Sequence, residues 1–222
     1  MTIDTMLRIP FGLDRLPRTT GPDDPRLPAV VVGAQRLRLN TEPLPPAAMA
    51  QATPDHATRV ASVVQWLSAA CGQYAPQRQR FIEAYFRALA DHLQAHRDEL
   101  AEALRPFDGL FAPEDWIWSA LRPLPRAWLP TAGRFLPCDI AFWDGAAPVA
   151  IAIAAQDTDR AAALRAAGIA VCRITPDALA ADVLHALPDS FRWFWRDQML
   201  PASPFRRTIP RGVISDAAAV TA

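Results

Sequence analysis

The chain changes its pattern at Pro113, and that change limits the architectures open to it. Upstream, Ile82, Phe86, Leu89, Leu93, Leu100 and Leu104 recur at steps of three, four and seven, which keeps them on one face of a helix from about Pro76 to Leu104. Before that stripe, Thr53-Pro54-Asp55 predicts a helix start, with a capping hydroxyl followed by proline at the first position, and a helix running to about Ala70. The two helices, within 54–106, are expected to form an antiparallel hairpin. Downstream of Pro113 a short helix, PEDWIWSAL, gives way to the strand candidates RAWLPT, RFLPCDIAFWD and APVAIAIAAQ. A helix DTDRAAALRAAG stopped by Gly168, a strand IAVCRI, and a helix from Thr175-Pro176-Asp177 to near Leu187 complete the series. This αβββαβα order over residues 107–188 predicts an α/β layer built on one mixed sheet, α+β for the whole chain.

The flanks read differently. Residues 1–53 hold eight prolines and predict an extended arm with little regular structure, lying across the folded body. Within it PAVVVGAQRLRLN predicts a strand or small hairpin at residues 29–40. Residues 189–222, reading FRWFWRDQMLPASPFRRTIPR from Phe191, are expected to form an aromatic and arginine-rich C-terminal helix and tail.

Composition narrows the chemistry. The 23 basic and 23 acidic side chains balance, so the whole-chain charge gives no case for wrapping nucleic acid or lying on an anionic membrane, although a local basic face stays open. All 23 basic residues are arginine. A guanidinium neither loses its proton at neutral pH nor forms an imine, which excludes Schiff-base aldolases, pyridoxal-phosphate enzymes, P-loop NTPases and protein kinases, and no nucleotide cofactor is expected. Loss of lysine beside heavy alanine and proline use also fits a GC-rich coding bias, so it need not mark any site. Cys71, Cys138 and Cys172 form neither an even disulfide set nor a C-x-x-C pair. The opening MTIDTMLRIPFGLDRLP has no signal-peptide pattern, and GAAPVAIAIAAQ is shorter than the ~20 residues that span a bilayer. A cytoplasmic protein with reduced thiols and no membrane partner is the expectation.

Residues 111–187 carry a more specific pattern. Pro113-Glu114 opens a helix, Pro137-Cys138-Asp139-Ile140-Ala141-Phe142 places an aspartate at a strand start, and Asp157 or Asp159 precedes Leu164, Gly168, Ile169, Val171, Arg173 and Ile174. In this order and spacing the segment resembles the PD-(D/E)XK restriction-endonuclease-like superfamily, in particular its small bacterial branches related to very-short-patch repair endonucleases. The resemblance implies an αβββαβ core, a catalytic acid on the first helix (Glu114), an aspartate on the second strand (Asp139) and a Glu-x-Lys on the third. In that family the carboxylates hold Mg²⁺, which activates water and stabilises charge on the phosphate, while the lysine orients or deprotonates the water.

Here the third strand reads Val149-Ala150-Ile151-Ala152-Ile153-Ala154-Ala155-Gln156, so the glutamate aligns with Ala152 and the lysine with Ala154. Strand alternation puts both alanines, with Ala150 and Gln156, on one face. Glu114 and Asp139 alone make a poor site for an ion that wants several hard oxygen ligands. The resemblance therefore implies a degenerate, catalytically inactive domain that binds nucleic acid or a protein partner and needs no cofactor. One alternative is an Mg-dependent DNA endonuclease using Glu114, Asp139 and a migrated Asp157 or Asp159, although Asp157 also reads as a helix N-cap. Another is a pure interaction protein whose arm and tail dock a larger assembly.

Two further groups stand out. His92 and His96, with Glu99 three residues on, have spacing that could place three zinc ligands on one helix face, but His96 falls on the apolar stripe and a packed or partly solvated histidine pair is the simpler reading. In the tail, Arg192 and Arg196 alternate with Trp193 and Trp195, and Arg206, Arg207 and Arg211 follow. With Arg173 they are the candidate contacts to nucleic acid or a partner, while the aromatics read more simply as packing on the sheet.

Overall fold

The computed structural model describes residues 7–17, 27, 29–32, 37–39, 55–73, 75–105, 112–132, 134–143, 147–153, 158–181 and 183–187. The hairpin expected at residues 29–40 is present, and the arm adds a third strand that its prolines do not predict. Strands β1 (Leu7–Pro10), β2 (Ala29–Val32) and β3 (Leu37–Leu39) form an antiparallel sheet in that order, with Val31 opposite both Arg8 and Arg38. The prolines are compatible because Pro10 closes β1, where a missing N–H is tolerated.

Helix α1 spans His56–Ala70, and its cap is Asp55 instead of the expected Thr53: the Asp55 carboxylate accepts from the Thr58 N–H at 2.9 Å and from the Thr58 hydroxyl at 2.8 Å. Those two bonds hold the Asp55 carboxyl below its ordinary pKa. The expected single helix from Pro76 to Leu104 is two, α2 (Pro76–Ala95) and α3 (Arg97–Leu104). His96 separates them at φ −109°, ψ 18°, and the N–H of Leu100 bonds the His96 carbonyl at 3.0 Å to restart the ladder. Asp98 and Glu99 then sit in the first turn of α3, where negative charge complements the helix dipole. All six residues of the predicted stripe are buried, because the restart returns Leu100 and Leu104 to the core side.

A 3₁₀ helix at Pro113–Ser119 leads into the sheets. Strand β4 (Leu124–Pro125) precedes a separate two-stranded hairpin, β5 (Trp128–Thr131) with β6 (Arg134–Pro137). Then come β7 (Ile140–Trp143), β8 (Pro148–Ile153), α4 (Thr158–Ala166), β9 (Ala170–Ile174), α5 (Pro176–Ala181) and α6 (Val183–Ala186). The main sheet has the order β4-β7-β8-β9, antiparallel except for the parallel β8–β9 pair that α4 connects. The class is therefore α+β with one mixed four-stranded sheet. Its first strand is Leu124–Pro125, whereas RAWLPT, expected in that place, folds away into the hairpin. Gly168, at φ +80°, supplies the left-handed residue that ends α4, and the Ile169 N–H closes back on the Leu164 carbonyl at 3.0 Å.

The sheet separates two apolar clusters. On one side Ile140, Phe142, Val149, Ile151, Ile153 and Ile174 pack with α1, α2, α5 and α6, centred on Phe81, Tyr85 and Leu89. Tyr85 is fully buried between Phe81, Phe86 and Phe142, and its hydroxyl donates to the Leu121 carbonyl at 2.6 Å. Burial pushes that phenol well above its ordinary pKa, so it stays a neutral donor. On the other side Leu124, Ala141 and Ala150 pack with Ile9 and Phe11 of the arm, Leu129 and Leu136 of the hairpin, and Leu164 of α4.

Arg126 pins the arm to this second side. It is the single described non-glycine residue at positive φ, 47°. Its own N–H bonds the Asp139 carbonyl at 2.7 Å, and its guanidinium donates to the Ala70 carbonyl at 2.8 Å, to the Gly12 carbonyl and to the Asp14 carboxylate. The Trp128 indole N–H reaches the Leu13 carbonyl at 3.1 Å beside it. Arg126→Ala and Arg126→Gly are both expected to lower stability in urea denaturation. The glycine variant loses less, by about 0.5–1 kcal/mol, because a left-handed conformation costs a side-chain-bearing residue roughly 1–2 kcal/mol and glycine's unfolded-state entropy offsets only part of that gain.

Candidate functional site

Register places the sequence-predicted positions relative to one another. In the parallel β8–β9 pair Ala152 lies opposite Arg173, and in the antiparallel β7–β8 pair Ile140 lies opposite Ile151. One step back from Ile140, Asp139 falls opposite Ala152. Ala152 and Arg173 are thus neighbours on adjacent strands about 4.8 Å apart, while Asp139 stands one residue before β7 and its carboxylate reaches toward Arg78 of α2, on the helical side of the sheet. Arg173 is exposed and makes no ion pair among the described residues.

Asp139 is already committed. Its Oδ2 accepts from the Ile153 N–H at 3.1 Å, beyond the alanine that stands where the glutamate would be, and its Oδ1 lies 3.8 Å from Arg78 Nε in the first turn of α2. Its backbone carbonyl takes the Arg126 N–H. Every acceptor of the residue thus has an engagement that holds the β8 end and the α2 start against β7. The side chain is 22% exposed.

Glu114 is elsewhere. Its Oε1 accepts from Arg97 Nε at 3.3 Å, on the partly exposed edge of a cavity of about 160 Å³ that His56, Leu93, Gln94 and Ile117 also line. Asp139 is tied to the beginning of α2 and Glu114 to the second residue past its end. At 1.5 Å per residue the 20-residue α2 is about 30 Å long, more than two extended arginine side chains can close. The carboxylates of Glu114 and Asp139 therefore do not converge on one ion. Asp115, next to Glu114, has a local structural role, since its carboxylate takes the Ala112 N–H at 2.9 Å and lies 3.5 Å from Arg59 Nη2 of α1.

Asp157, Ala154, Arg192, Arg196, Arg206, Arg207 and Arg211 lie outside the described residues. Asp159 is an exposed acid in the first turn of α4. No activated thiol accompanies the site. Burial pushes Cys71 up to about 11, and burial together with the neighbouring Asp139 charge pushes Cys138 higher still. Cys172 is raised by burial as well, and its thiol lies 3.2 Å from the Ala186 carbonyl. All three stay protonated through the physiological range.

Two arginines matter that the sequence patterns passed over. Arg78 neutralises Asp139 from a helix whose sequence shows it only as one of several surface arginines. Arg122 sits in the apolar run Ala120-Leu121-Arg122-Pro123-Leu124, where a lone cation between leucines was a readable signal of burial. Its Nη1 is buried with no hydrogen-bond partner among the described residues, and desolvation lowers its pKa.

No protein-family model matches the chain, and comparison with curated proteins and with solved structures gives no match.

A structural Asp139 makes a definite prediction. Asp139→Ala leaves the Ile153 N–H without its acceptor and is expected to cost about 1–3 kcal/mol in denaturant unfolding, independent of added Mg²⁺, whereas Asp139→Asn keeps an acceptor oxygen and costs less. Equal losses in both variants would contradict the hydrogen-bond account.

Proposed function

We propose that the protein is a catalytically inactive, restriction-endonuclease-like module that binds the phosphate backbone of nucleic acid without cutting it, in the cytoplasm of a bacterium. The observation that carries this reading is the strand pair Ala152–Arg173 beside an already committed Asp139. Where the family pattern asks for converging carboxylates and a lysine, this chain has a carboxylate committed to an N–H and an arginine, then a methyl group, then an exposed guanidinium. A guanidinium beside a neutral strand face suits a phosphate oxygen, by charge and by its fork of donors. The same face carries Ala141 and Ala150, over which Ile9, Phe11 and Leu164 close. Alanine at 141 and 150 makes room for that packing.

The αβββαβ order, the mixed sheet and the aspartate at the start of its second strand support the superfamily reading. The endonuclease alternative needs Glu114 and Asp139 together, and α2 holds them apart. No helix among the described residues is long and apolar enough to cross a membrane.

Three results are expected together. Incubation of plasmid or single-stranded DNA with the protein and Mg²⁺ or Mn²⁺ gives no cleavage above that of Asp139→Ala. Binding to a DNA duplex weakens steeply with salt, as counterion release requires. Arg173→Ala lowers affinity and reduces the slope of log affinity against log salt by about one contact's share, roughly 0.9. Metal-dependent cutting abolished by Asp139→Ala would overturn the inactive reading, and absence of salt-dependent binding would favour the pure protein-interaction reading.

A further inference from the structure

The histidine pair at the α2–α3 junction, remote from Asp139 along the helix, has a geometry that the proposed binding role does not use. His92 and His96 stand one helical turn apart with ring centroids 4.6 Å from each other and planes tilted by 48°. The packing expected for His96 on the apolar stripe is only partly realised. The regular helix stops at His96, and its side chain is 33% exposed between buried Leu93 and Leu100. One turn further, Glu99 brings Oε1 to 3.6 Å from His96 Nδ1, a buried nitrogen with no hydrogen bond among the described residues.

We propose that His92 and His96 form a two-imidazole chelate for a borderline divalent transition metal, Zn²⁺, Ni²⁺ or Cu²⁺. The ring separation fits such a chelate. A metal–nitrogen bond of about 2.0–2.1 Å plus roughly 1.2 Å from nitrogen to ring centre puts each centroid about 3.2 Å from the ion, and at angles of roughly 90–110° the two centroids lie about 4.5–5.2 Å apart. Imidazole nitrogens select this class of ion over Mg²⁺ or Ca²⁺, which take oxygen ligands. No set of three or more His, Cys, Asp or Glu groups among the described residues is arranged to hold an ion, so water completes the coordination and Glu99 reaches the ion only after a side-chain rotation. Binding there would bridge the last turn of α2 to the residue at which it breaks, holding the junction in its folded geometry.

The test uses the full chain, with the metal salts themselves as probes. Calorimetric titration is expected to show one Zn²⁺ site, tighter for Cu²⁺ and not occupied by Mg²⁺, with a Zn²⁺-dependent rise in Tm. Either His92→Gln or His96→Gln is expected to lower Zn²⁺ affinity about tenfold or more, the loss of one of two imidazole ligands, and to remove the Tm rise. His56→Gln is expected to leave both unchanged. Should a variant fail to fold, substoichiometric Cu²⁺ added to the wild-type chain gives the same answer by NMR, since two of the four histidines should broaden first. Absence of Zn²⁺ binding, equal affinity in wild type and both variants, or equal broadening of all four histidines as from adventitious binding would each overturn the proposal.

Discussion

Because successive residues of β8 point to opposite sides of the sheet, its sequence decides what can stand on each side, and the rest of the fold follows from that division. Val149, Ile151 and Ile153 present branched side chains to the helices, and the large aromatic residues of α2 close on them. Ala150 and Ala152 present only methyl groups to the other side. A sheet face of methyls lets a layer approach closely, and the arm, the β5–β6 hairpin and α4 supply it, with Ile9, Phe11, Leu129 and Leu164 almost wholly buried. Larger side chains at 141 and 150 would have to displace that layer, since dense cores absorb added volume poorly.

The second layer needs an anchor because the arm reaches it from far away in sequence. Arg126 provides this, joining residues more than a hundred positions apart while its backbone holds the start of β7. A guanidinium suits that position because its donors can satisfy several carbonyls and a carboxylate at once. The strained backbone at Arg126 is the structural cost of aiming one side chain between the end of α1, the arm and Asp14. Replacing that group by an apolar side chain would leave the carbonyls of Gly12 and Ala70 without this donor.

Much of this was legible in the sequence, and the failures have identifiable causes. The apolar stripe of α2 and α3, the strands at 140–143, 148–153 and 170–174, and the stop at Gly168 follow from periodicity and turn chemistry, which are local. The break at His96 was missed because spacing is unchanged by a brief restart of the helix. The hairpin expected at residues 29–40 is the β2–β3 pair, whereas β1 was missed because its pairing with residues 29–32 is set by partners far apart in sequence, while proline counts describe only local preference. RAWLPT reads as a strand and is one, but nothing in its residues says which sheet receives it. At the site, the pairing of Ala152 with Arg173 needed the register of a strand pair, and the separation of Glu114 from Asp139 needed the length of a helix lying between their arginine partners.

The absence of lysine takes on a narrower meaning in this light. An arginine-biased code converts lysines to arginines, and a chain under that pressure alone would carry Arg where the family pattern has its lysine. Position 154 carries alanine instead, and position 152 carries alanine where no lysine was ever expected. Arg173 stands one strand away, beside Ala152, and the Asp139 carboxylate is hydrogen-bonded to the Ile153 N–H and ion-paired with Arg78. A metal centre concentrates negative ligands around a cation, whereas here Asp139 is paired with Arg78 and the edge strand carries an exposed guanidinium. An exposed guanidinium beside a methyl group suits an anion better than a divalent cation, and coding bias against lysine does not account for the alanine at 152.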